Sequence, residues 1–165
     1  MKKLNYTFYL FIIYLCLVIW ILLFKMSSLE DLYHLDPHRT INLVPFYFDP
    51  EMGHNRSEII NNFIIFIPLG IYTMMINCKF FKAVLYGSSI SIGIEILQFL
   101  FGIGITDITD VITNTAGAFA GITFYSFISL FFKRREKLNR MLQIIASIFT
   151  FIFLILIFIL FYFNR

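Results

Sequence analysis

Five apolar runs, each near the length needed to cross a lipid bilayer, lie within a chain of only 165 residues. A helix crossing the hydrocarbon core needs about 20 mostly apolar residues. The runs occupy residues 4–24, 59–76, 81–101, 106–132 and 141–163, so little chain remains for anything else. Charged residues make up 14% of the sequence, well below the roughly 25% of soluble domains. The expected fold is all-α: a polytopic membrane helix bundle of about five transmembrane helices. It forms one membrane domain over residues 1–165, with a long outer connection at 25–57. The first run follows Lys2 and Lys3 and lacks a small-residue cleavage site, which points to a retained signal anchor.

Cytoplasmic loops are enriched in Lys and Arg, and this asymmetry sets orientation. With the amino terminus inside, nine of the 13 basic residues fall on the inner side: Lys2, Lys3, Lys79, Lys82, Lys133, Arg134, Arg135, Lys137 and Arg140. Lys25, Arg39, Arg56 and Arg165 fall outside. The expected topology is therefore N-in, C-out, in a bacterial cytoplasmic membrane. Acidic residues segregate the opposite way: only Glu136 is cytoplasmic, and Glu95 lies within a span.

Three spans carry polar residues at helical spacing near their outer ends. Glu58, Asn61 and Asn62 mark the second span. Ser91, Glu95 and Gln98 mark the third, and Asp107, Asp110 and Asn114 the fourth. Residues three and four apart share a helix face, so each set forms a stripe, and the stripes can meet in one outward-open polar pocket. In it, Asn114 and Gln98 are the expected hydrogen-bond partners of Glu95, and Arg39 its counter-charge. Polar residues also join membrane helices simply by hydrogen bonding, which would account for each amide alone. An intramembrane carboxylate such as Glu95 costs more and points to function. Asp107 also suits a helix N-terminus. Gly117 and Gly121 form a small-xxx-small face, the pattern of close helix packing.

The 25–57 connection is apolar enough to lie on the bilayer surface or fold over the helices. His34 and His38 have helical metal-ligand spacing, but Pro37 between them opposes a helix, and they read as surface histidines. Cys16 and Cys78 sit at different depths and read as packing residues. No metal ion and no cofactor is expected. The basic run 133–140 reads as a topology determinant that contacts anionic lipid, with no role toward nucleic acid.

Four segments resemble the motifs of the VanZ family. Arg39, Asn42, Leu43, Pro45 and Phe46 are similar to the first. Glu58, Asn61 and Asn62, running into Pro68-Leu69-Gly70, are similar to the second. Glu95 to Phe99 matches the third, and Thr106, Asp107, Thr109, Asp110, Asn114 and Gly117 match the fourth in order and spacing. The chain departs from many members at Gly104, where they carry an arginine. The resemblance implies low-level resistance to teicoplanin, a lipid-tailed glycopeptide that acts on cell-wall precursors outside the membrane. The implied partners are membrane lipids, together with a lipid-linked peptidoglycan precursor or teicoplanin itself. The other readings are a membrane-embedded hydrolase or transferase acting on such a precursor, and a lipid or precursor transporter. No GxSxG elbow, metal-ligand set or P-loop supports the enzyme.

Overall fold

The structure, a computed structural model, describes residues 6–24, 40–46, 56–76, 78–102 and 105–163. Five helices and two short strands are seen among them: α1 (Tyr6–Phe24), β1 (Thr40–Asn42), α2 (Arg56–Met75), α3 (Phe80–Phe101), β2 (Ile105–Asp107), α4 (Ile108–Ser129) and α5 (Arg135–Phe163). The fold is an all-α helical bundle. Helices α2 to α5 are each long and apolar enough to cross a membrane, and α1 is a shorter apolar helix. Arg39, His34, His38 and most of the 25–57 connection lie outside the described residues.

The helices fall close to the apolar runs, with two differences of physical interest. The fourth starts at Ile108 rather than 106 because residues 105–107 are strand and Asp107 is the cap. The fifth starts at Arg135 rather than 141, so most of the basic run is its first turns rather than a loop. Arg, Glu, Lys and Leu are all good helix formers, and polarity alone does not end a helix. Leu138 is fully buried there, while Arg135, Glu136, Lys137 and Arg140 stay exposed. Helix α2 runs through Pro68 without interruption. Helix α3 ends at Gly102, whose φ of 66° turns the chain toward β2 and lets its N–H reach the carbonyls of Gln98 and Phe99.

The most extensive packing joins α2 to α4. A Cβ at Gly117 would sit 2.1 Å from the Phe63 carbonyl oxygen, and one at Gly121 would sit 2.0 Å from that of Ile67. From the opposite side, a Cβ at Gly70 would sit 2.0 Å from the Ala118 oxygen. Three glycines thus bring two backbones into direct contact. In lipid, where burying apolar groups gains little, such close van der Waals packing is a main source of helix association.

Around this seam α1, α3 and α5 complete the bundle. Phe66, Leu69, Tyr72, Ile94, Ala118 and Tyr125 form its centre, with Leu10, Phe11 and Val18 added by α1. Phe81, Leu85, Phe127, Phe149 and Phe158 face outward, as lipid-solvated side chains do. Polar bonds fasten α5 by its first turns. Tyr125 donates its hydroxyl proton to Asn139 Oδ1, Asn139 donates to the Met75 carbonyl, and Gln143 donates to Thr7. These contacts put the start of α1, the ends of α2 and α4, and the start of α5 at one end of the bundle. The opposite end holds the polar cluster.

Candidate functional site

The cluster is built where α3 ends and α4 begins. Ser91, Glu95 and Gln98 are buried on one face of α3, as a spacing of four and three residues dictates. Glu95 is only 4% exposed. Two bonds tie it to the next segment: Asp107 donates its backbone N–H to Glu95 Oε2 over 2.9 Å, and Thr106 donates its hydroxyl to the Glu95 carbonyl over 3.3 Å. An α3 carboxylate therefore fixes the strand that leads into α4.

Asp107 is the pivot of the arrangement. It is 1% exposed, and both carboxylate oxygens accept hydrogen bonds. Oδ1 takes the Thr109 N–H at 2.6 Å, capping α4, and Oδ2 takes Asn42 Nδ2 at 2.7 Å. Asn42 lies opposite it in a parallel pairing that also sets Thr40 beside Ile105 and Ile41 beside Thr106. Past the strand, Val44 donates its N–H to Asn42 Oδ1, and Phe46 donates its N–H to Thr109 Oγ1. The 40–46 segment thus folds over the helix ends, one of the two placements its composition allowed. The strand pair of three residues each departs from the all-helical expectation, in which the fourth span already begins at residue 106.

One turn deeper, Asn114 is 1% exposed and donates to the Ser91 hydroxyl across the α3–α4 interface at 3.1 Å. This corrects the expected pairing with Glu95. Gln98 likewise turns away, donating to the Leu22 carbonyl at the end of α1. Spacing along a helix gives the face of each residue but not its level against a neighbouring helix, so the partners could not be read. Among the described residues, Asn114 Oδ1 and Gln98 Oε1 are buried without a hydrogen-bond partner.

The site residues foreseen from sequence are divided by the fold. Asn42, Glu95 and Asp107 are joined directly by hydrogen bonds, and Asp110 lies in the first turn of α4 beside them. Asn114 lies one turn below Asp110 on the same face of α4. Asn62 is buried on α2, whereas Asn61, its neighbour, is exposed. Glu58 is half-buried in the first turn of α2. Arg39 lies outside the described residues. Thr109 belongs to the fourth motif but not to the polar stripes, yet it is fully buried and joins the cap to the 40–46 segment. Its signal was the Asp-x-Thr spacing, in which a carboxylate reaches the N–H two residues on.

Among the described residues, no three of His, Cys, Asp and Glu are placed to hold a metal ion. Cys16 and Cys78 are free thiols. The arrangement gathers buried carboxylates and amides at one end of the bundle, largely bonded to one another, with Asn114 Oδ1 and Gln98 Oε1 left as acceptors.

A bundle of long apolar helices that buries a polar cluster defines the class, an integral membrane protein. The chain matches the family model described as VanZ/LLP1 over residues 11–133. It is 38% identical over 134 residues to Protein VanZ of Enterococcus faecium, covering 79% of this chain and 79% of that protein. The chain belongs to the VanZ family. No solved structure matches it.

Proposed function

We propose that this protein lowers the susceptibility of a bacterial cell to teicoplanin, acting through the Glu95 cluster at the outer face of the cytoplasmic membrane. The observation that carries the reading is Glu95 itself: a carboxylate 4% exposed in an apolar helix, anchored by the backbone of the next. Intramembrane carboxylates are costly and concentrate at functional sites. Membership of the VanZ family supplies the link to glycopeptide resistance. Orientation follows from charge. Lys79, Lys82 and the basic residues 133–140 lie at the end of the bundle opposite Glu95, and such residues remain in the cytoplasm. The N-in, C-out topology turns the cluster outward, where teicoplanin meets its lipid-linked precursor.

The ligand in this reading is the lipid-linked peptidoglycan precursor or the lipid-tailed drug, held by hydrogen bonds to the cluster. The alternative is a hydrolase or transferase using Glu95 with Asp110 as acid and base; it has less support because no nucleophile elbow, metal-ligand set or P-loop in the sequence accompanies the pair. The deciding experiment is expression in a susceptible Gram-positive host, with teicoplanin and vancomycin inhibitory concentrations measured side by side. Teicoplanin resistance rises and vancomycin resistance rises less. Equal protection against both drugs would instead indicate a general change in precursor supply.

A further inference from the structure

The 40–46 segment carries an apolar surface that the Glu95 cluster does not use. Ile41, Leu43, Val44 and Phe46 are 56%, 72%, 56% and 57% exposed, and no residue from Thr40 to Phe46 is charged. Four large apolar side chains facing water would forgo much of their favourable burial. The segment is nevertheless held in that pose. It pairs with β2, Asn42 is bonded to Asp107, and Phe46 adopts a φ of 55° while its N–H bonds to Thr109. A left-handed backbone is unfavourable for a non-glycine residue, so the clamp works against local strain.

We infer that this segment is a hook seated among lipid acyl chains of the leaflet at the Glu95 end of the bundle. Two observations choose lipid over a soluble partner. The first is continuity: Leu100 and Phe101, the last residues of α3, are exposed apolar residues on a membrane span. Only a few residues later the chain becomes β2, with β1 beside it. The apolar surface of the span passes directly into that of the hook. The second is backbone satisfaction. Non-helical chain enters the hydrocarbon region only where its polar groups find protein partners. Here the Val44 and Phe46 N–H groups bond to side chains of the protein, and Pro45 between them has no N–H. The 44–46 turn therefore presents no free N–H to lipid. Since Asn42 sits at its root and bonds Asp107, the hook sets the depth of the Glu95 cluster in the bilayer.

The test uses tryptophan as a depth probe. Trp20 is the only tryptophan in the chain, so Trp20→Phe gives a silent background into which Val44→Trp and, separately, Leu43→Trp are placed. Each protein is reconstituted into phosphatidylcholine–phosphatidylglycerol vesicles, with unmodified lipids or with lipids brominated on the acyl chain near the glycerol. Helical circular dichroism matching the parent confirms the fold before either variant is read. Brominated lipid quenches both tryptophans strongly, while acrylamide in the water phase quenches them weakly. Strong acrylamide quenching without lipid quenching would place the hook in water and overturn the inference. Shielding from both quenchers would overturn it too, by showing that protein covers the segment.

Discussion

The backbone N–H of Asp107 donates to Oε2 of Glu95 over 2.9 Å, so the residue that caps α4 is itself held by a carboxylate of α3. One side chain thereby supplies the acid of the buried cluster and fixes the entry of α4. Substitutions can separate these two duties.

Glu95→Gln keeps an amide oxygen able to accept the Asp107 N–H but removes the titratable group. It accumulates in the membrane as the parent does. If the site only binds, part of the teicoplanin resistance survives; if Glu95 transfers protons, none does. Glu95→Ala also strands the buried N–H, at a cost of about 1–3 kcal/mol, and loses resistance. Asn114→Ala loses resistance as well, whereas Ser129→Ala does not, since its hydroxyl bonds only the Ser126 carbonyl at the far end of α4. Paired immunoblots and susceptibility tests supply the measurement. Full resistance in both alanine variants at Glu95 and Asn114, at normal abundance, would remove the cluster from the mechanism.

Asp107→Ala deletes the cap of α4 and the bond to Asn42 together. Loss of a cap costs about 1 kcal/mol, and loss of a bond to a charged group about 1.5–3 kcal/mol. The variant unfolds at lower temperature in detergent than the parent. Asn42→Ala, which removes only the strand bond, falls between them. An Asn42→Ala protein as unstable as Asp107→Ala would show that the cap contributes nothing.

Gly117→Ala and Gly121→Ala each place a methyl within about 2.1 Å of a main-chain carbonyl oxygen on α2, a clash that no rotamer relieves. Overpacking of this kind costs about 1–3 kcal/mol or more, and both variants accumulate poorly. Gly93→Ala on α3 meets nothing within 4 Å and is tolerated. Detergent-stable yield against the parent measures the difference. Equal tolerance at all three positions would mean that α2 and α4 do not meet backbone to backbone.

Topology is checked by cysteine labelling in a background where Cys16 and Cys78 are replaced by alanine. A cysteine at Asn164 reacts with an impermeant thiol reagent in intact cells. One at Lys137, exposed on the first turns of α5, reacts only after permeabilisation. The reverse pattern would turn the Glu95 cluster toward the cytoplasm and end the proposal of an outer-face site.

The helices were legible because lipid demands long apolar stretches, and close packing of α4 because Gly117 and Gly121 are spaced to face one neighbour, although which helix that is was not. Asp107 as a cap was legible from its chemistry. The start of α5 was obscured because its basic residues read by polarity as a connection, although they have strong helical preference. The β1–β2 pair left no trace, since three residues cannot establish an alternating pattern. Glu95 was identifiable as costly, but its partner is a backbone N–H, which every residue except proline carries and no sequence pattern can single out. Asn114 and Ser91 lie in stripes that were recognised, yet their pairing depends on how two helices are offset along their lengths.

The three glycines at the α2–α4 seam have a consequence for how the bundle can give way. That seam is main chain against main chain, and it parts only as a whole. The α3–α4 contact is tight as well: a Cβ added at Gly87 would come within 2.7 Å of the Ala118 methyl, an atom with no rotamer to retreat into. Ala118 thus turns its carbonyl oxygen toward Gly70 on α2 and its Cβ toward Gly87 on α3. One small residue of α4 spaces both of its neighbours, and a larger side chain there would push α3, and Glu95 with it, away from α4.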